Sequence, residues 1–301
     1  MSASIKERIR QSAVVADHAL VPAFPKNILF ELTNACNHAC RFCYNHAMRR
    51  RHGHLDWELY KRLIAEAAAL GAREAGFATT GEPFASPIIF DCIAEAKRVG
   101  IAYTYLSTNG ALLSKAKVER IFESGLDSIK FSINAGNRES YKRIHGRDDF
   151  DHVLDMVRLI DSLRRQRGRD MKLFCTTILT RDTKGEEEAL RKLVGHCFDD
   201  MFFAMETGAS GPTNSCVYRL PCPLLFNRAH VTWEGYLTIC CVDFENSLVV
   251  ANLRETSLEE AWRSPLFQWM RRRHLEKDVS GTLCDVCISK TEKPYVPLGP
   301  V

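Results

Sequence analysis

The chain has 301 residues, 46% of them hydrophobic and 26% charged, globular values that exclude wholesale disorder. A net charge of +4 is too mild to indicate a nucleic-acid partner, and no apolar run reaches the roughly eighteen residues a membrane span needs. With no export signal at the N-terminus, the expected location is cytoplasmic, where twelve cysteines point to metal sites or buried thiols rather than disulfides.

In chain order, residues 1–26 form an N-terminal extension, and "ILFEL" (28–32) is a short apolar run predicted as the first strand. "CNHACRFC" (36–43) follows it directly. "LDWELYKRLIAEAAALG" then reads as a helix, with Asp56 at the N-cap, Leu59, Leu63, Ala67 and Leu70 on one face, and Gly71 at the C-cap. Further strands are expected at 75–79, 102–107, 128–133, 173–179 and 201–205, separated by helices near 87–99, 114–124, 150–165 and 185–196. Six βα units in this order imply an α/β fold with a parallel sheet and right-handed crossovers. Six is short of the eight that close a barrel, so residues 27–207 are expected to form a partial, open (β/α)6 TIM-like barrel. Residues 208–301 are expected to form a small second unit of β-hairpin plus helix. "HVTWEGYLTICC" supplies the hairpin, turning at Glu234-Gly235, and Ser257 with Glu260 makes a capping box that opens a helix running to about Arg272.

Cys36, Cys40 and Cys43 sit just past the first strand, at the carboxyl end of the sheet, where the sites of parallel α/β folds lie. Thiolates select zinc, copper(I) or iron–sulfur clusters. Zinc would need a fourth ligand, which His38 or His46 could supply, whereas a [4Fe–4S] cluster on three cysteines keeps one iron open. Asn37, His38 and Arg41 make the loop too polar for a core segment. Farther on, Cys222, Cys240, Cys284 and Cys287 can converge as a four-sulfur cage, and geometry alone leaves zinc and [4Fe–4S] both open.

"CNHACRFC" resembles the CX3CX-aromatic-C signature of radical S-adenosylmethionine (radical SAM) enzymes, with Phe42 at the aromatic position. The resemblance implies a [4Fe–4S] cluster on Cys36, Cys40 and Cys43 whose open iron chelates S-adenosylmethionine (SAM). It also implies an external one-electron donor of flavodoxin or ferredoxin type, and cleavage of SAM to a 5′-deoxyadenosyl radical that takes a hydrogen atom from substrate. "TTGEP" is similar to the family's GGEP motif, carried by Thr80, Gly81, Glu82 and Pro83; Thr80 departs from glycine, and Glu82 is expected to meet the cofactor's amino group. Ser107 and Asn109 in "STNG" and Ser132 in "SIN" fall where relatives contact ribose or the methionine end, and Arg143 in "YKRIHG" matches a carboxylate-binding position. Asn134-Ala135 replace the acidic residue and glycine usual after the Ser132 position.

"WEGYLTIC", "ANLRETSLEEAW" and "CDVC" resemble the SPASM domain in its shortened Twitch form, which implies one auxiliary [4Fe–4S] cluster on Cys222, Cys240, Cys284 and Cys287. Cys241 adjoins Cys240 but lacks its GX4C spacing from Gly235. A fully ligated cluster suits electron acceptance and hence an oxidation, whereas a thiol hydrogen donor suits epimerisation. Cys216 in the connector and Cys175 on the fifth strand are the candidate thiols, alternation placing either Cys175 or Thr176 on the barrel interior. Related enzymes act on peptides, on sulfatase side chains, and on sugars or aminocyclitols. Only 35 residues precede Cys36, less than a fused leader-binding domain requires, so a small polar, sugar- or aminocyclitol-like metabolite is expected, with a peptide or protein side chain as the alternative. An RNA-modifying enzyme and a structural zinc module rank below both. The basic runs at 48–54, 164–169 and 271–274 read as solvated faces and helix ends, without the aromatic interleaving of a base-stacking platform.

Overall fold

The computed structural model describes residues 4, 5, 7, 14–206, 220–289 and 294–298. Six short strands, β1 (Asn27–Phe30), β2 (Glu74–Phe77), β3 (Tyr103–Thr108), β4 (Ser128–Ser132), β5 (Lys172–Leu179) and β6 (Asp200–Met205), each pair in parallel with the next. Helices α1 (Trp57–Ala69), α2 (Ile89–Arg98), α3 (Lys115–Ser124), α5 (Phe150–Gln166) and α6 (Glu187–Val194) cover one face. Their caps match the sequence: Asp56 accepts from Leu59 N–H, and Ser114 accepts from Lys117 N–H ahead of α3. Alternate strand residues such as Leu106, Ile129, Phe131, Leu173 and Cys175 enter the helix-covered core. Their neighbours Ser107, Lys130, Ser132 and Thr176 therefore line the inner face. Among the βα units one helix escaped the sequence pattern, α4 (Arg138–His145), capped by Asn137 and ended by Gly146 at φ +71. With two polar turns it offers too few apolar positions to show a period.

The C-terminal region does not stand apart from this sheet. Strand β7 (Arg228–Val231) pairs in parallel with β1, and β8 (Tyr236–Thr238) and β9 (Val249–Asn252) follow antiparallel. The result is one nine-stranded sheet, ordered β6-β5-β4-β3-β2-β1-β7-β8-β9, that stays open with β6 and β9 as its edges. A one-turn α7 (Leu224–Asn227) precedes β7. The expected capping box is present, but its helix is two helices, α8 (Leu258–Trp262) and α9 (Pro265–Leu275). Pro265 lacks the N–H a continuous helix needs, and Ser264 caps the restart. The chain then reaches α10 (Leu283–Ser289).

Each of the three basic runs contributes one buried arginine, correcting the expectation of solvated faces. Arg164 is clamped by Asp161, Asp199 and the carbonyls of Met171 and Cys197. Arg271, 0% exposed, donates to the carbonyls of Leu225, Leu20 and Trp262 and stacks 3.8 Å from the Phe267 ring. Arg50 lies between Glu31 and Glu234, 2.6 Å from a carboxylate oxygen of each. Among the described residues no helix is long and apolar enough to cross a membrane.

Candidate active site and second cysteine cluster

The cysteine loop is held by side chains that bind backbone. Asn34 donates to Arg51 O and accepts from Gly53 N–H, while Asn45 Nδ2 donates to Asn34 O (2.8 Å) and Thr80 O (2.6 Å). Gly81 lets the "TTGEP" loop abut the cysteine loop, since a Cβ there would lie 2.3 Å from Thr33 O. Glu82 N–H completes the contact by donating to Ala35 O. Cys36, Cys40 and Cys43 are half-buried. Burial drives the Cys36 thiol up to about 11 and raises Cys40 and Cys43, and mutual repulsion raises Cys40 further. Three soft donors that repel one another as thiolates fit a cationic centre placed among them.

The flanking residues divide. Ser107 and Ser132 are half-buried on the inner face, and their hydroxyls have no hydrogen-bond partner among the described residues. Asn109 Nδ2 donates to Asn37 Oδ1 at 2.9 Å and lies 3.9 Å from Cys36 Sγ, tying the β3 loop to the cysteines. Phe42 is half-buried beside Cys43, and Pro83 is buried in a single 3-10 turn. Thr80 directs its hydroxyl to Glu31 Oε2 at 2.5 Å, while its carbonyl accepts from Asn45 Nδ2.

The Glu82 carboxylate is engaged inside the protein. It accepts from Thr108 Oγ1 (2.7 Å), Asn109 N–H (2.8 Å) and Phe84 N–H (3.1 Å), and is 2% exposed. These bonds tie the turn after β2 to the end of β3. Arg143 is not brought to the site: it is largely exposed on α4 and bonds Ser140 Oγ and Glu139 of its own helix. Cys175 packs in the helix-facing core, where burial raises its thiol to about 12; the inner-face residue is Thr176. Cys216 lies outside the described residues.

Two residues after Arg143 comes a group the sequence reading missed. His145 is fully buried, stacked on Tyr141 with ring centroids 4.0 Å apart. Its Nε2 accepts Asn134 N–H at 3.2 Å, and a backbone amide can only donate, so the neutral ring carries its proton on Nδ1. That Nδ1 lies 3.2 Å from His38 Nδ1 and 3.5 Å from Cys40 Sγ, and His38 Nε2 in turn lies 3.1 Å from Asp149 Oδ2. His38, Cys40 and His145 are close enough to share a metal ion, but a protonated Nδ1 cannot ligate one. Only the "HG" helix ending hinted at His145, and it speaks for a cap, not a site.

Cys222, Cys240, Cys284 and Cys287, distant in sequence, line one cavity together with Ile239, Leu248 and His274. Cys284 and Cys287 stand one turn apart on α10. The loop carrying Cys240 is fixed by Asp243, which accepts from Ser247 N–H, Leu248 N–H and Thr238 Oγ1. Cys241 is absent from the cavity lining. Four thiols in a largely apolar enclosure fit a fully ligated [4Fe–4S] cluster.

The two sites are braced against each other. Arg50 of the cysteine loop spans to Glu234 in the β7–β8 turn, and Glu31 binds both Arg50 and Thr80. Trp233 packs on Gly53 so closely that a Cβ there would lie 2.3 Å from its ring.

Comparison with known proteins bears on both sites. A family model described as the Radical SAM superfamily matches residues 30–193, and one for the SPASM iron–sulfur cluster-binding domain matches 222–288. The PqqA peptide cyclase of Gluconobacter oxydans is 32% identical over 127 residues, 42% of this chain and 35% of that protein, so the chain spans about a third of that relative's length. Streptococcus suis SuiB bound to precursor peptide SuiA superposes with a TM-score of 0.65 at 14% identity, covering 97% of this chain and 77% of that chain. BtrN in complex with AdoMet and 2-DOIA superposes with a TM-score of 0.58 at 18% identity, covering 91% of this chain and 98% of that chain.

Proposed function

We propose that this chain, which belongs to the radical SAM superfamily and carries a C-terminal iron–sulfur cluster-binding domain, modifies a side chain of a peptide or protein. Cys36, Cys40 and Cys43 hold the SAM-binding [4Fe–4S] cluster, and Cys222, Cys240, Cys284 and Cys287 hold the auxiliary one. The first cluster with SAM supplies the 5′-deoxyadenosyl radical that removes a substrate hydrogen atom. The protein's own part is placement. Gly81, Asn45 and Asn109 fix the cysteine loop, and Ser107 and Ser132, half-buried on the inner face, offer hydroxyls toward SAM and substrate. A flavodoxin- or ferredoxin-type protein delivers the electron.

The observation that carries the peptide reading is the 32% identity over 127 residues to a peptide cyclase, joined by the fold likeness to SuiB bound to precursor peptide SuiA. This displaces the small-metabolite expectation from first place. A sugar- or aminocyclitol-like substrate stays as the second reading, favoured by the likeness to BtrN with 2-DOIA over 98% of that chain.

The test is deuterium transfer into 5′-deoxyadenosine from deuterated candidate peptides and small polar metabolites, with anaerobically reconstituted protein and dithionite. Label from a peptide carbon is expected; label only from the small metabolites would reverse the order of the two readings.

A further inference from the structure

His274 is left unexplained by ligand assignment. It stands on α9, is 0% exposed, and lines the cavity with the four cysteines. Its Nδ1 accepts the backbone N–H of Cys222 at 3.2 Å, which places the ring proton on Nε2. That Nε2 is buried with no hydrogen-bond partner among the described residues. Asp243, the other polar side chain on the lining, already receives three hydrogen bonds. The helix has little freedom to turn the imidazole elsewhere, because Arg271, one turn back, is pinned by three carbonyls. A buried N–H aimed at no protein acceptor requires one in whatever fills the cavity.

We infer that His274 donates its Nε2–H to a sulfur of the auxiliary cluster and thereby raises that cluster's reduction potential. Hydrogen bonds to cluster sulfurs stabilise the more negative, reduced state, and they are among the protein's main means of setting potential. A raised potential suits a cluster that accepts the electron left on a substrate radical. The inference rests on the cavity holding [4Fe–4S]. His274 is a positioning and tuning residue, not a ligand.

An independent observation gives the first site the same device. Asn134 N–H fixes the tautomer of His145, and the resulting Nδ1–H lies within reach of Cys40 Sγ. His38, whose Nε2–H is held by Asp149, presents its Nδ1 lone pair to the same proton at 3.2 Å. The two histidines share a backbone amide on one ring nitrogen, but only His274 has no protein acceptor before the other, since the His145 proton is shared between His38 Nδ1 and Cys40 Sγ.

The experiment is a redox titration of the reconstituted full chain followed by electron paramagnetic resonance of each cluster, for unmodified protein, His274→Phe and His145→Phe. His274→Phe is expected to keep its iron and to shift only the auxiliary midpoint downward, by about 59 mV if one-electron reduction becomes tenfold less favourable. His145→Phe should shift only the SAM-binding cluster. Iron retained with both midpoints unmoved overturns the inference. Should a variant fail to fold, 15N-histidine labelling of the Cys36→Ala, Cys40→Ala, Cys43→Ala protein isolates the auxiliary cluster. A weak 15N coupling on its signal is expected, and its absence refutes the His274 bond. Unmodified protein with about four irons and one zinc would instead reject the cluster assignment itself, and the His274 bond with it.

Discussion

The two cysteine sites differ in what surrounds the sulfur, and the contrast explains their division of labour. Three thiols stand half-buried on a loop at the carboxyl end of the parallel strands. Four thiols stand in a cavity walled by Ile239, Leu248 and other apolar groups, with Cys222 and Cys284 each 8% exposed. On the proposed reading the first admits a ligand and does chemistry on it. The second, with all four thiols engaged as ligands on the proposed reading, would pass electrons. Yet the sites are not independent modules, since β7 hydrogen-bonds to β1 and Arg50 bridges the two loops.

The strongest way to break the contrast is to empty one site at a time. Unmodified protein should bind close to eight irons, by ligand count. Changing Cys36, Cys40 and Cys43 together to Ala should leave about four and abolish 5′-deoxyadenosine formation. Changing Cys284 and Cys287 to Ala should also leave about four, but with SAM cleavage still detectable, because the open iron is untouched. Iron assay and chromatography of the nucleoside check both. Unaltered iron in the first variant would remove the ligand assignment.

Next in size is the brace between the sites. Arg50→Met leaves Glu31 and Glu234 buried without their cation, 3% and 20% exposed. Breaking a buried pair from one side costs about 3–5 kcal/mol, so urea midpoints should drop far below those of Arg49→Met, whose side chain is 83% exposed. If the two variants unfold alike, the sites are not coupled through this bridge. Gly81→Ala should follow, costing about 1–3 kcal/mol through its clash with Thr33 O and lowering iron at the first site ahead of the second.

The sequence made the contrast visible only in part, for a physical reason. Period and capping are local, so the strands, α1, α3 and the Ser257–Glu260 box could be read from neighbours along the chain. Cysteine spacing could be read too, because ligands to one metal centre must converge. What could not be read depends on contacts between distant segments. A run such as "RRRH" looks the same whether its arginine faces water or, like Arg271, stacks on Phe267 beneath three carbonyls. The parallel pairing of β7 with β1 links residues about two hundred positions apart, with no local signature. His145 and His274 take their meaning from which ring nitrogen a backbone amide occupies, and a lone histidine letter carries no trace of that.

The smallest expected effect tests the same lesson on one helix turn. Arg143 matches a cofactor-binding position by motif, yet its side chain is 45% exposed and its partners are Ser140 and Glu139 of its own helix. A surface pair of this kind contributes about 0–1 kcal/mol. Arg143→Ala should therefore leave stability nearly unchanged and SAM cleavage within about twofold at saturating and at low SAM, since nothing it touches reaches the cysteine loop. His145, two residues along, should behave oppositely, because its Nδ1 stands 3.5 Å from Cys40 Sγ. If Arg143→Ala raises the KM for SAM tenfold while His145→Phe leaves the first cluster's potential untouched, the motif position outranks the geometry. The side-chain directions along this helix would then be inverted, with Arg143 swinging inward once SAM is bound.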